Sequence, residues 1–200
     1  MSKRVYISAD YSVEDGDRNV VDELHKWSCD NLHSVDYVDT AEVVSGSVSD
    51  NSDCRSCDLK QEFNKQINAS SAVIFIIGDK TSSRTAGSTC RRLNDGPFCS
   101  CTPYKQNANG LSYCKIFSLP TTYYDDINPV NNYSFLRHEF EQAKQKRKKI
   151  IIVYNSLYKQ TDWLPWYLNE FINEAQPFWV YDGLYRRVGN YSYIKSALGY

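Results

Sequence analysis

The sequence predicts one α/β domain, in which a parallel sheet of about five strands lies between two layers of helices. Three observations lead to this fold class. Strand-like and helix-like patterns alternate along the chain, and the runs Ala72–Ile77 and Ile150–Tyr154 are apolar on both faces. The segments between them carry apolar residues at the three-to-four spacing of an amphipathic helix. A length of 200 residues suits one such domain better than two.

The N-terminal part of the chain supplies two strands and two helices. The first helix is predicted because Val20, Leu24 and Trp27 recur on one face, and the second because its apolar residues recur every four positions. The elements in order are a strand over Lys3–Asp10, a helix over Asp15–Asn31, a weak strand over Ser34–Thr40, a loop over Ser45–Asp53 and a helix over Cys57–Ala69.

The C-terminal part contains the two strongest strand patterns, which are the apolar runs already named. Between these two strands the alternation is interrupted and resumes only with an amphipathic helix that precedes the second run. The predicted elements are a strand over Ser71–Gly78, a helix over Tyr133–Lys146, a strand over Ile150–Tyr154, a helix over Asp162–Glu174, a strand over Pro177–Tyr181 and a helix over Tyr191–Leu198.

Residues 80–132 form an insertion rich in Ser, Thr, Asn, Cys and Tyr. A connection of this length is uncommon in a compact domain unless it is functional. The chain has 7 cysteines, and an odd number cannot all pair with one another. Zinc ligation is one possibility for the cysteines at 54, 57, 90, 99, 101 and 114, but Cys99 and Cys101 are closer than a standard zinc module requires. The sequence therefore favours ordinary reduced thiols over a zinc site, and we assign no metal ligand.

Charge and hydropathy restrict the partners. With 23 Lys and Arg against 24 Asp and Glu, the net charge of -1 gives no field that would favour nucleic acid or an anionic membrane. No apolar run approaches the roughly 20 residues of a membrane span, and the N-terminus shows no signal-peptide pattern. We expect a cytoplasmic protein whose ligands are small molecules.

One carboxylate does not fit its helical face. In a projection of the helix before Ile150, the residues Phe135, Leu136, Phe140 and Ala143 form an apolar stripe, and Glu139 falls inside it. An acid in this position should move to the rim, pair with an arginine such as Arg84, Arg91 or Arg92, or have a raised pKa. The third outcome is typical of catalytic carboxylates.

Four segments resemble the Toll/interleukin-1 receptor (TIR) family. Lys3-Arg-Val-Tyr-Ile-Ser-Ala-Asp10 is similar to the first strand of TIR domains, and Ser71–Ser83 is similar to the third strand and its loop. Phe135–Ala143, followed by Lys149–Val153, resembles the family's glutamate-bearing helix and the strand after it. The insertion is longer than the usual connection, and Phe135 or Leu136 stands where a Trp often precedes the Glu.

The resemblance is closest to TIR-like proteins of bacterial antiphage systems of the Thoeris type. It implies a single flavodoxin-like, three-layer domain over residues 1–200 that consumes NAD as a substrate, without a cofactor, and makes an ADP-ribose-derived signal. Glu139 matches the family's catalytic position. The carboxyl ends of the first and third predicted strands add candidates for substrate binding: Ser8, Asp10, Asp79, Thr81 and Arg84.

Two other functions remain open at the level of sequence. A TIR-like module could assemble with like domains without any turnover, since fold does not fix function. A nucleoside deoxyribosyltransferase-like enzyme would share the layout and use a Glu, but would act on free nucleosides. For the TIR-like enzyme and the TIR-like module we expect self-association or a downstream effector that senses the product.

Overall fold

A computed structural model describes residues 3–12, 16–30, 33–39, 52–84 and 134–200, with the backbone alone at residues 52–58 and 61. The strands are β1 (Lys3–Ser8), β2 (Val35–Asp39), β3 (Ala72–Ile77), β4 (Lys149–Tyr154), β5 (Gln176–Pro177), β6 (Trp179–Tyr181) and β7 (Arg187–Gly189). The α-helices are α1 (Arg18–Lys26), α2 (Ser52–Ala69), α3 (Phe135–Gln145) and α4 (Tyr191–Leu198).

The central sheet has five parallel strands in the order β2-β1-β3-β4-β5. β3 is buried along its whole length and pairs with β1 on one side and with β4 on the other. This confirms the predicted α/β architecture and the central position of Ala72–Ile77, whose uninterrupted apolar run suits a strand covered on both faces.

Helices cover both faces of this sheet and make the structure a three-layer sandwich. On one face α1 and α4 pack through residues such as Leu24 and Ile194 onto Val5 and Ile7 of β1. On the other face α2 and α3 place Ile67 and Phe140, among others, against the opposite side of the strands. Successive strand residues point to opposite faces, so each strand contributes to both cores.

The segment before β5 differs from the prediction. Instead of one helix over Asp162–Glu174, the chain forms two 3₁₀-helices, Thr161–Trp163 and Trp166–Phe171. Pro165 lies between them, and its ring removes a backbone N–H donor and disfavours the helical conformation of the residue before it. The apolar spacing of this segment is therefore real, but the backbone cannot form a continuous α-helix.

The predicted strand Pro177–Tyr181 is also divided. Gln176 and Pro177 extend the central sheet as β5, whereas Trp179–Tyr181 turns away as β6 and pairs antiparallel with β7. A proline lacks the N–H that a longer ladder would use, so the sheet ends at this edge. The hairpin partner Arg187–Gly189 was not predicted, because three residues are too few to establish a strand period.

Smaller differences concern boundaries. α2 begins at Ser52, inside the predicted loop over Ser45–Asp53, because Ser and Asp are as typical of helix starts as of loops. α1 is shorter than predicted and ends in a 3₁₀ turn over Trp27–Cys29. The insertion lies outside the described residues except for residues 80–84. Among the helices of the described ranges, none combines the length and the apolar character that crossing a bilayer requires.

Candidate active site

Glu139 is buried inside the fold, with 2% of its surface exposed. The Tyr6 hydroxyl donates a hydrogen bond of 2.7 Å to Glu139 Oε1, and the Ser8 hydroxyl donates to Oε2. Each carboxylate oxygen thus receives one O–H donor from β1. Among the described residues no cationic side chain forms an ion pair with Glu139, so the two hydroxyls provide its local stabilisation.

The two donors come from the same face of β1 because strand residues two positions apart point the same way. Val5 and Ile7, the alternate residues, lie in the core on the α1 side of the sheet. Tyr6 and Ser8 therefore face α3, which carries Glu139 in its second turn. Ser134 begins this helix, and its hydroxyl accepts a hydrogen bond of 3.1 Å from the Arg137 N–H.

Burial raises the pKa of Glu139 from 4.5 to about 7, although the hydrogen bonds from Ser8 and Tyr6 act in the opposite direction. Burial, together with the nearby Glu139 charge, also raises the pKa of Tyr6 well above its usual value. Tyr6 therefore stays protonated and can only donate to the carboxylate. Of the outcomes considered for Glu139 from sequence, its burial and its two hydroxyl donors favour the raised pKa, and Arg84 does not pair with it.

Glu139 lines a cavity of about 280 Å³. The walls come from four parts of the fold: the loop after β1, helix α2, the turn after β3, and the first turns of α3. Phe63 and Phe135 form one wall as an edge-to-face pair with ring centroids 5.5 Å apart. The other lining residues are Ala9, Asp10, Tyr11, Ser12, Thr81, Arg84, Ser134 and Leu136.

The sheet topology explains the position of this cavity. The chain passes from β1 to β2 on one side and then crosses β1 to reach β3 on its other side. The loops after β1 and β3 therefore leave the sheet in different directions and open a crevice between their strands. In open α/β sheets this reversal of strand order is where ligands bind.

The predicted substrate-binding residues fall into two groups. Asp10, Thr81 and Arg84 line the cavity together with Glu139. Ser8 is fully buried and donates its hydroxyl to Glu139, whereas Asp79 is exposed and lies 3.8 Å from the Lys80 ammonium group. In the described part of the chain, neither Ser8 nor Asp79 is among the residues that line the cavity.

Arg84 is not the partner of Glu139 that sequence reasoning allowed for. Its guanidinium Nε donates instead to Asp10 Oδ2. Arg91 and Arg92 lie outside the described residues. Asp10 does not cap α1, whose N-cap is Asp17, and its Oδ1 accepts the backbone N–H of Ser12 at 3.0 Å.

Sequence reasoning missed Tyr6 and the aromatic wall. In the sequence Tyr6 is one residue of a short strand, and Phe63 and Phe135 are apolar positions of their helices. The alternation of β1 offered one signal, because it places Tyr6 on the same face as Ser8. No sequence pattern connects Phe63 with Phe135, which are 72 residues apart in the chain and meet only through the packing of α2 on α3.

His138 has no part in this site. Its ring is buried and its Nε2 lies 2.8 Å from Asn64 Oδ1 on α2, as expected for a residue that points away from Glu139. The described residues contain no group of three or more His, Cys, Asp or Glu that could hold a metal ion. The cysteines weighed for zinc lie outside the described residues, apart from the backbone of Cys54 and Cys57.

A second buried carboxylate lies at the same edge of the sheet but on the α1 side. Asp17 has 3% of its surface exposed, and its Oδ1 accepts a hydrogen bond of 2.8 Å from Asn155 Nδ2. Asn155 Oδ1 in turn accepts the Trp179 indole N–H at 2.7 Å. Burial raises the pKa of Asp17 from 3.8 to about 6. Asp17 is not among the residues that line the cavity described here.

The chain matches no protein-family model, and no curated protein sequence matches it. The resemblance to TIR domains therefore stays a prediction that rests on the residues quoted for it.

Proposed function

We propose that the chain is a TIR-like NAD-consuming enzyme that cleaves the bond between nicotinamide and ribose. The observation that carries this proposal is a buried carboxylate on the wall of a cavity, held by two hydroxyl donors with no cation among the described residues beside it. Such a carboxylate keeps a negative charge available for a ligand, because none of the described residues neutralises it in an ion pair.

The reaction needs this kind of group. Nicotinamide leaves as a neutral molecule and takes with it the electron pair of the bond to ribose C1′, so no general acid is required. The ribose left behind carries positive charge, which a carboxylate beside the ring stabilises. Water then adds to C1′ and releases a proton that the Glu139 carboxylate can accept. A nucleophile within the ADP-ribose itself would give a cyclic product instead.

The pKa of Glu139 suits catalysis near neutral pH. With a pKa of about 7, a substantial fraction of the side chain is charged at pH 7, and the protonated form is also accessible. Tyr6 and Ser8 fix the orientation of both oxygens, which limits the loss of side-chain entropy when substrate binds. The aromatic pair Phe63 and Phe135 supplies flat apolar surface for a planar ring.

The wider biological role rests on the resemblance alone. A TIR-like protein of the Thoeris type would make an ADP-ribose-derived nucleotide as a signal in antiphage defence, read by a separate effector. We extend the proposal to that role and to self-association of the chain. Tests of both come after nicotinamide release has been established.

One observation favours a second candidate, a nucleoside deoxyribosyltransferase-like enzyme. The cavity of about 280 Å³ is at the lower end of ligand pockets, which span roughly 300–1,000 Å³, and suits one nucleoside better than a whole dinucleotide. In such an enzyme Glu139 would attack C1′ of a 2′-deoxynucleoside directly, release its base and pass the sugar to a second base.

The two candidates are separated by their substrates. The purified chain and its Glu139→Gln form are incubated at pH 7 with NAD, or with 2′-deoxyadenosine and a second purine base, and products are followed by chromatography. Nicotinamide release that depends on Glu139 supports the first candidate, and base exchange without nicotinamide release supports the second. If neither reaction occurs at high protein concentration, both candidates are contradicted and a non-catalytic assembly module is favoured.

A further inference from the structure

An ion pair joins the two loops at the edge of the cavity. Asp10 follows β1 and Arg84 follows the 3₁₀ turn after β3, and both residues line the cavity. The Arg84 Nε donates to one oxygen of Asp10, while the other oxygen accepts the Ser12 N–H. The Arg84 side chain is 38% exposed and that of Asp10 is 16% exposed. The pair can therefore be reached by a solute.

The turn that carries Arg84 is held by short hydrogen bonds. The Gly78 N–H donates to Thr81 Oγ1 at 2.8 Å, and the Thr81 N–H donates back to the Gly78 carbonyl at 3.2 Å. Thr81 is buried by this arrangement. The backbone from Gly78 to Thr81 is thus held at the crevice between β1 and β3, while the Arg84 side chain remains partly in solvent.

The cavity is too small for a dinucleotide, so a bound NAD molecule must extend past this edge. Its nicotinamide ribose would occupy the space beside Glu139, and its negative phosphate groups would continue outward. Arg84 is the cationic side chain among the described residues that line the cavity. A guanidinium binds phosphate oxygens through two parallel N–H donors, whereas the contact with Asp10 runs from the single Nε donor to one carboxylate oxygen.

We propose that the Asp10–Arg84 ion pair is an exchangeable anion site, in which the phosphate of a nucleotide substrate replaces Asp10 as a partner of Arg84. Asp10, once released, accepts a hydrogen bond from a ribose hydroxyl. The pair then selects phosphorylated over unphosphorylated ribosyl substrates. This inference rests on the proposed function and deepens it, because it names the substrate class as nucleotides.

The exchange is energetically reasonable. Ion pairs that water can reach contribute little to stability, so Asp10 is not a strong competitor for Arg84. A phosphate carries more charge than a carboxylate and offers more acceptor oxygens. Before substrate binds, Asp10 keeps the cation neutralised and oriented toward the cavity.

A purely structural ion pair makes a different prediction. If Asp10 and Arg84 only join the two loops, removing either partner should loosen the site and weaken every ligand alike. If they form an exchangeable site, Asp10→Asn removes the competing charge and should strengthen anion binding. Arg84→Ala should weaken it.

The test measures ligand binding by calorimetry in the Glu139→Gln form, which does not consume the ligand. Nicotinamide mononucleotide, nicotinamide riboside and inorganic pyrophosphate are titrated into this form and into its Asp10→Asn, Arg84→Ala and Arg84→Lys derivatives. We expect Arg84→Ala to weaken the mononucleotide about tenfold or more and leave the riboside within about twofold. We expect Asp10→Asn to tighten the mononucleotide about threefold, and Arg84→Lys to give an intermediate value.

Two results would overturn the inference. One is that Asp10→Asn weakens the mononucleotide as Arg84→Ala does, in protein that melts as cooperatively as the parent. The other is that the parent binds neither the mononucleotide nor pyrophosphate at millimolar concentration. The binding measurement is independent of turnover: opposite effects of the two substitutions without nicotinamide release from NAD would sustain the anion site and reject the proposed activity. If nicotinamide is released from NAD but each substitution affects the mononucleotide and the riboside equally, the proposed activity is sustained and the anion site is rejected.

Discussion

Two buried carboxylates at the carboxyl edge of the same sheet have different surroundings. Glu139 lies on the α3 side, takes hydrogen bonds from two hydroxyls and faces a cavity. Asp17 lies on the α1 side, takes a hydrogen bond from an Asn155 amide that Trp179 holds in place, and does not line that cavity. Burial raises both pKa values, to about 7 and about 6. Burial and a shifted pKa are therefore common to both acids, and it is access to a cavity that distinguishes them.

The close fit around Asp17 supports its structural role. A Cβ atom at Gly78 would lie 2.5 Å from Asp17 Oδ1, so the carboxylate occupies the space that any other residue at position 78 would need. Asp17 also connects the start of α1 with the loop after β1, because its backbone N–H donates to the Asp10 carbonyl at 2.7 Å. This carboxylate joins α1 to the strand ends.

The largest expected effect separates the two acids by activity. Glu139→Gln should lower nicotinamide release from NAD by about 100-fold or more, because the positive charge on the ribose loses its stabilising carboxylate. The matched change Asp17→Asn should alter the rate by less than about threefold, since an amide can still accept the bond from Asn155. Steady-state rates at pH 7 check both, and equal losses would remove the distinction between the two sites.

The pH dependence of stability should report both acids. Each acid has a folded-state pKa above its unfolded value, so each contributes stability that is complete at low pH and is lost as the pH rises. The loss occurs between pH 3.8 and about 6 for Asp17, and between pH 4.5 and about 7 for Glu139. The loss should be on the order of 3 kcal/mol for each group. Urea unfolding from pH 4 to 7.5 measures it.

The two variants should each remove their own part of this dependence. Asp17→Asn should flatten the stability curve between pH 4 and 6, and Glu139→Gln should flatten it up to pH 7. A curve for either variant that falls as steeply as that of the parent protein would mean that other groups cause the loss.

The next effect tests the packing around Asp17. Gly78→Ala should lower the free energy of unfolding by about 1–3 kcal/mol, because the new methyl group must displace a buried, hydrogen-bonded carboxylate. Gly183→Ala is the matched control, since a Cβ there meets no atom within 4 Å. Urea denaturation compares the two, and similar values would show that Asp17 moves aside at little cost.

The smallest effect concerns the hydroxyl donors of Glu139. Tyr6→Phe removes a bond that favours the charged carboxylate, so the pKa of Glu139 should rise further and the acid limb of the pH–rate profile should move to higher pH. We expect about a tenfold lower kcat/KM at pH 7. Tyr154→Phe is the control, because the buried Tyr154 hydroxyl has no hydrogen-bond partner in the described structure and its loss should leave the profile unchanged.

Much of the fold follows from local patterns. The period of apolar residues predicts the strands β1, β3 and β4 and the helices α3 and α4 to within two residues at most ends, because each of these elements buries one face or both. The pattern fails at Asp162–Glu174, where Pro165 interrupts an otherwise helical spacing, and at Trp179–Tyr181, whose partner strand is only three residues long.

The candidate site is only partly visible in the sequence. Glu139 is conspicuous because an acid on an apolar stripe conflicts with its helical neighbours, and Asp10, Thr81 and Arg84 follow strands whose carboxyl ends share an edge. The pairing of Arg84 with Asp10 rather than with Glu139 was not predictable, because both carboxylates lie within reach of the same crevice. Asp17 gives no such signal in the sequence, since an Asp near a helix start is usually a cap.

The sequence alone determined that the chain alternates between strands and helices, and that one acid of its third α-helix must be buried or paired, because these properties depend on neighbours within a few residues. Only the tertiary structure decided which groups meet that acid. Tyr6 and Ser8 reach Glu139 across more than 130 positions of chain. Such contacts depend on the order of strands in the sheet and on how α2 and α3 pack, and no local pattern encodes them.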